Sequence, residues 1–171
     1  MSLIDQMAVA GFAGILLVAA WNDLRRLLIP NRLSLAILAL WPVHILVAQA
    51  AADPLGALAA ALVIFAFGFA LFSLGLMGGG DVKLLAATSL WAGPALLPEL
   101  MAVTAVCGGL IAILLLTPPG TWFEARFQDA GGLSHLRVST APGARRRHRP
   151  MPYGVAIAAG GLVVAIRLLG F

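Results

Sequence analysis

Charged side chains are scarce in this 171-residue sequence: 11 Lys and Arg with 7 Asp and Glu make up 11% of the chain, whereas 61% is hydrophobic. Soluble domains usually carry about 25% charged residues. This scarcity excludes an ordinary cytosolic globule, a disordered chain and a nucleic-acid-binding domain, although the net charge is +4. Because the apolar residues occur in long runs, the sequence predicts a polytopic membrane protein.

Residues that build several common sites are also missing. The single cysteine, Cys107, excludes an internal disulfide and a cysteine zinc knuckle, and we expect it to be a small buried residue of a helix. The sequence contains no phosphate-binding loop, dinucleotide fingerprint or serine–histidine nucleophile arrangement. His135 and His148 lack a zinc-ligand spacing, and His44 is interpreted as a hydrogen-bonded core residue. We therefore expect no metal and no other cofactor.

The apolar runs predict an all-α fold, a single domain over residues 1–171 with about six transmembrane helices, each of which needs roughly 20 residues to span a bilayer. The predicted segments are about 7–21, 33–52, 55–77, 82–92, 96–116 and 153–169. No basic residue precedes the first run, so we expect a retained helix and not a cleavable signal. In the long polar loop, about 117–150, the Arg145–Arg149 cluster is expected to touch anionic lipid and set topology.

Basic residues are concentrated on one side of this six-helix topology. Loops 22–32, 78–83 and 117–150 share that side and contain every Lys and Arg except Arg167. Cytoplasmic loops carry an excess of basic residues. The distribution predicts that these loops are cytoplasmic and that both termini are extracytoplasmic.

Two acidic residues, Asp23 and Asp81, lie at predicted helix ends on the cytoplasmic side. Acidic residues at a bilayer edge are costly and tend to be functional. Two carboxyl groups held close together cannot both ionise, so such a pair shares one proton. The charged member can then take a proton from water while the protonated member donates to a carbonyl oxygen. The two residues are therefore candidates for an aspartic dyad.

Each aspartate also has a structural interpretation. Asp81 could be the N-cap of the fourth helix, and Asp23 could be a solvated neighbour of the arginines that follow it. A shared role is favoured because both lie on one side and Asp81 follows the chain's only Gly-Gly-Gly, whose backbone could pair with an extended peptide. Three other acids are expected to lie in loops or tails of the opposite side without a functional role: Asp5, Asp53 and Glu99.

Three segments resemble motifs of the type IV prepilin leader peptidases, which are GxGD aspartyl proteases, and they occur along the chain in the order found in that family. The clearest is Gly78-Gly79-Gly80-Asp81-Val82-Lys83-Leu84, similar to GxGDxK(L). Upstream, Asp23 followed by Ile29-Pro30-Asn31 resembles the family's first-aspartate segment. Near the end, Met151-Pro152-Tyr153-Gly154 resembles a Pro-aromatic-Gly segment before the final helix. The resemblance spans nearly the whole chain.

This resemblance implies six helices in the bacterial inner membrane and cleavage of the leader from type IV prepilins or pilin-like precursors at the cytoplasmic face. Asp23 and Asp81 would be the catalytic pair. The remaining motif residues would line the substrate site or support it electrostatically: Gly78, Gly79, Gly80, Lys83, Pro152, Tyr153 and Gly154.

The sequence departs from the longer members of that family, which carry a four-cysteine zinc motif and a methyltransferase activity. Here 22 residues precede Asp23 and one cysteine is present. We therefore expect cleavage without N-methylation, as in the short TadV/CpaA-type peptidases that process Flp pilins. The expected partners are the prepilin and membrane lipid.

Two other function classes remain as alternatives. A small proton-coupled transporter would place carboxylates in the middle of its spans, where this sequence has none. A non-enzymatic assembly subunit of a secretion system would tolerate the loss of both aspartates.

Overall fold

The computed structural model describes residues 2–48, 53–116 and 152–170, which form five helices and no strand. The helices are α1 (Leu3–Arg26), α2 (Asn31–Ala48), α3 (Pro54–Ser73), α4 (Gly79–Leu116) and α5 (Tyr153–Leu168). The all-α prediction is confirmed for these residues. The predicted loop 117–150, with its arginine cluster, lies outside them.

Three of the helices, α1, α3 and α4, are long and apolar enough to cross a membrane, and α2 and α5 are shorter apolar helices. The 38-residue α4 is interrupted at Gly93, where φ is 56° and ψ is −175°, a conformation that essentially only glycine adopts. The predicted fourth and fifth segments are therefore the two halves of α4. Six membrane crossings and extracytoplasmic termini stay predictions.

The core forms where α4 packs against α2, α3 and α5, and α1 packs against α2 and α5. Small residues permit the closest approach between helices. A Cβ atom added at Gly161 in α5 would lie 2.5 Å from Leu16 Cδ1. The largest fully buried side chains come from four of the helices: Phe12, Leu16, Ile37, Leu84, Leu100 and Ile157. Cys107 is in α4, as expected, but is only half-buried.

The acids expected to be peripheral all make structural contacts. Asp53 caps α3 by accepting a hydrogen bond from the Gly56 N–H, at 2.9 Å. Glu99 lies in α4 and pairs with Arg167 of α5, at 3.1 Å. These two contacts are structural and assign neither Asp53 nor Glu99 a functional role.

Asp5 differs from its expected position in a terminal tail. It lies in the first turn of α1, is 4% exposed, and its Oδ1 is 2.6 Å from Nδ1 of His44 in α2. His44 also stacks on Trp91 of α4. The prediction of a hydrogen-bonded core histidine is confirmed. The Asp5 prediction was wrong because the polar partner that makes its burial tolerable comes from another helix.

This buried pair leads to a stability prediction. Asp5→Leu leaves the His44 ring without its partner, and an unsatisfied buried polar group costs about 1–3 kcal/mol of the free energy of unfolding. The double variant Asp5→Leu/His44→Phe removes both polar groups and should recover much of that loss. Thermal unfolding in detergent would measure both effects. If the loss of stability in the double variant equals the sum of the losses in the two single variants, the two residues are not coupled.

Candidate active site

Asp23 lies in the last turn of α1 and is 4% exposed. The helix continues to Arg26 and ends at Leu27, whose left-handed backbone (φ 49°) turns the chain toward α2. Arg25 points to a different neighbour, with its guanidinium 4.1 Å from the centre of the Trp21 ring. The interpretation of Asp23 as a solvated partner of the arginines is therefore wrong.

The carboxyl group of Asp23 lies against the backbone N–H groups of Gly154 and Val155, at the start of α5. The first N–H groups of a helix have no intrahelical acceptor. The N-cap residue, Pro152, supplies no side-chain cap. Asp23 of α1 thus lies at the N-terminus of α5, and the positive end of the α5 dipole faces its negative charge.

One oxygen of this carboxyl group is left over. Asp23 Oδ2 is buried and has no hydrogen-bond partner among the residues that the structure describes. Buried polar atoms in folded proteins are nearly always hydrogen-bonded. This unpartnered carboxylate oxygen is therefore the candidate position in the site for a bound water molecule.

Asp81 is the third residue of α4, is half-buried, and its carboxyl group lies against the backbone N–H of Gly78. A side chain at this position that reaches back to the N-cap N–H is one half of a capping box. The interpretation of Asp81 as the N-cap itself is wrong, because Gly78 occupies that position. Asp81 and Asp23 lie close enough for their carboxyl groups to interact electrostatically.

Ile29 lies in the connection between α1 and α2. It packs against the first turns of α4 and α5 and so sets their spacing around the aspartates. A Cβ atom added at Gly80 would lie 3.2 Å from Ile29 Cβ. A Cβ atom added at Gly154 would lie 2.7 Å from Ile29 Cδ1 and 2.8 Å from Asp23 Oδ2. Glycine at both positions therefore lets α4 and α5 approach the same isoleucine, which is 7% exposed.

The other motif residues lie around this centre. Gly79 and Gly80 form the first turn of α4, so the expectation of a backbone that pairs with an extended peptide is wrong for these two, and Gly78 precedes the helix. A Cβ atom at Gly79 would contact the Phe72 ring, at 3.3 Å. Lys83 Nζ donates a hydrogen bond to Asn31 Oδ1, at 3.0 Å.

The Pro152-Tyr153-Gly154 segment, at the start of α5, is split between the interior and the surface. Pro152 is buried, whereas Tyr153 is 37% exposed and lies near Gly108 of α4. Only Gly154 of this segment reaches the aspartates. In the described ranges no three His, Cys, Asp or Glu side chains cluster as metal ligands.

Two contributors to the site were not identified as such from the sequence. The sequence identifies Ile29 only as part of a motif. Gly80 and Gly154 are the signal that could have found it, because glycine permits a helix to approach a neighbouring side chain closely. The Val155 N–H could have been inferred from the Pro-Tyr-Gly start of a helix, since the N–H groups of a first turn need acceptors.

One comparison with known proteins matches part of the chain. The model of the type IV leader peptidase family matches residues 10–113, a range that includes both aspartates and the three glycines before Asp81. No curated protein and no solved structure matches the chain significantly. Because the matched range covers more than half of the sequence, the chain belongs to the type IV leader peptidase family and is a membrane protease of the prepilin peptidase type.

Proposed function

We propose that this protein is an aspartic endopeptidase that removes the leader peptide from type IV or Flp prepilins at the cytoplasmic face of the bacterial inner membrane. Asp23 and Asp81 are the catalytic pair. The observation that carries the proposal is that these two carboxyl groups lie close enough to interact electrostatically, and one of them has a buried oxygen without a partner in the described part of the chain. The basic loops support the cytoplasmic face.

The two carboxyl groups have different surroundings, which suggests different roles. Backbone N–H groups at the start of α5 stabilise negative charge on Asp23. Asp23 then acts as general base and takes a proton from a water molecule bound at Oδ2. Asp81 carries the shared proton and donates it to the oxygen of the scissile carbonyl as the water oxygen bonds to its carbon. The C–N bond of the tetrahedral intermediate breaks as the leaving amine takes the proton held by Asp23, and one hydroxyl of the intermediate returns its proton to Asp81.

The glycines before Asp81 contribute backbone and no side chain. The N–H groups of Gly79 and Gly80 belong to the first turn of α4 and have no intrahelical acceptor by position. They are available to a carbonyl group of the substrate peptide. Lys83 adds a positive charge nearby, and its hydrogen bond to Asn31 holds the start of α2 beside the start of α4.

A purified-protein assay tests the proposal. The full-length chain, reconstituted in lipid with a prepilin that bears its leader, should release the leader, and mass measurement of the mature product should show a free, unmethylated N-terminus. A product that gains a methyl group on addition of a methyl donor would contradict the cleavage-only activity. An intact precursor would contradict the protease, and would favour a transport or assembly role.

A further inference from the structure

Among the four residues that connect α1 to α2, only Ile29 is buried. It is 7% exposed, whereas its neighbour Leu28 is 62% exposed and Pro30 is half-buried. A residue before proline is largely restricted to extended backbone, and a β-branched side chain is stiff at χ1. Ile29 therefore presents a rigid surface to the helices around it, with little freedom in its backbone or its side chain.

Different atoms of Ile29 contact the two helices that surround the aspartates. The three atoms nearest to a Cβ placed at Gly80 of α4 all belong to Ile29: its Cβ, its carbonyl oxygen and its backbone nitrogen, at 3.2, 3.3 and 3.7 Å. The atom nearest to a Cβ placed at Gly154 of α5 is Ile29 Cδ1, at 2.7 Å. The contact with α4 therefore depends on the inner part of the residue, and the contact with α5 depends on its terminal methyl group.

Each of these two contacts lies next to one aspartate. Gly80 directly precedes Asp81 in α4. The Cβ placed at Gly154 would also lie 2.8 Å from Asp23 Oδ2, so the Ile29 methyl group and the Asp23 carboxyl group meet at the same glycine. The length of one side chain thus separates the helix that carries Asp81 from the helix whose N–H groups face Asp23.

We propose that Ile29 is a positioning residue for leader removal; this rests on the proposed function. Its Cδ1 methyl group sets the position of the start of α5 against Asp23, and its Cβ atom and backbone set the position of the start of α4, which carries Asp81. Ile29 acts on the reaction only through these two carboxyl groups. Because a displacement near 1 Å at a catalytic group costs about 10²-fold in rate, a change in the length of this side chain affects kcat.

Ile29→Val tests the methyl group alone, because valine keeps the Cβ atom and the backbone. This variant should lower kcat about tenfold, as expected for a displacement well below 1 Å, and leave KM unchanged. The matched control is Ile37→Val, since Ile37 is 0% exposed and its carbonyl accepts a hydrogen bond from Trp91, about 15 Å from Asp81 along the axis of α4. Both variants should lower the thermal midpoint similarly, because each loses one buried methyl group. Only Ile29→Val should lower kcat.

Two double variants separate the two contacts of Ile29. In Ile29→Val/Gly154→Ala the added methyl group no longer meets Cδ1, so kcat should recover about tenfold relative to Gly154→Ala alone. In Ile29→Val/Gly80→Ala the added methyl group still meets the Cβ atom and the carbonyl oxygen, which valine keeps. The second pair should therefore show no recovery, and its two losses in kcat should multiply.

Several outcomes would overturn the positioning role. One is a kcat in Ile29→Val equal to that in Ile37→Val. Another is recovery in both double variants or in neither. A raised KM with an unchanged kcat in Ile29→Val would instead make Ile29 a substrate contact. If the wild-type protein leaves the precursor intact, the proposed function fails and this role fails with it, whereas the other outcomes leave the proposed function standing.

Discussion

Replacing either Asp23 or Asp81 with asparagine should lower kcat for leader removal by about 10²–10⁴-fold, the usual contribution of a positioned acid or base. Asparagine keeps the size of the side chain and its hydrogen-bond acceptor. The acceptor oxygen of an asparagine at position 23 still faces the N-terminus of α5, and that of one at position 81 still faces the Gly78 N–H, so the fold should survive. Each variant loses a carboxyl group that can take up and release a proton.

The control for this loss is Asp53→Asn, since Asp53 caps α3 and takes no part in the site. Its kcat should stay within about twofold of the wild type, because asparagine is as good an N-cap as aspartate. Time courses of precursor cleavage, measured by mass, give kcat for each variant. If the Asp23→Asn, Asp81→Asn double variant loses far more than either single variant, the two carboxyl groups do not work as one unit. Full activity in a folded Asp81→Asn protein would remove the dyad mechanism.

Gly154→Ala should reduce kcat by about 10²-fold while the protein remains folded. The added Cβ would lie 2.8 Å from Asp23 Oδ2 and 2.7 Å from Ile29 Cδ1. Both are closer than real Cβ contacts, so the carboxyl group and the isoleucine have to move. A displacement near 1 Å at a catalytic group costs about 10²-fold in rate. The KM for the precursor should change much less, because the substituted residue acts through Asp23.

Gly14→Ala is the matched control for Gly154→Ala. A Cβ atom at Gly14, in the middle of α1, would meet nothing within 4 Å. Alanine there should leave kcat unchanged and stabilise the helix by about 0.5–1 kcal/mol. Thermal unfolding and cleavage kinetics should be measured on both variants in the same detergent. A wild-type kcat in Gly154→Ala would show that α5 does not position Asp23.

Much of the fold could be predicted from patterns of residues along the sequence. Long apolar runs identified the helices, because only helices and closed barrels satisfy backbone polar groups in lipid. The break at Gly93 lies at the predicted boundary between segments 82–92 and 96–116. Asp5 was misplaced because nothing local distinguishes a solvated acid near a terminus from one buried against a histidine on the next helix.

The sequence by itself determined that Asp23 and Asp81 are the candidate catalytic acids, since charged residues are scarce and few acids lie at helix ends. Only the tertiary structure decided how they are held: Asp23 by the N–H groups of Gly154 and Val155, and Asp81 by that of Gly78. The reason is physical. Hydrophobicity and charge are properties of each residue and its neighbours in the chain, whereas the free N–H groups at the start of α5 find their acceptor on α1. That pairing arises only when the helices pack.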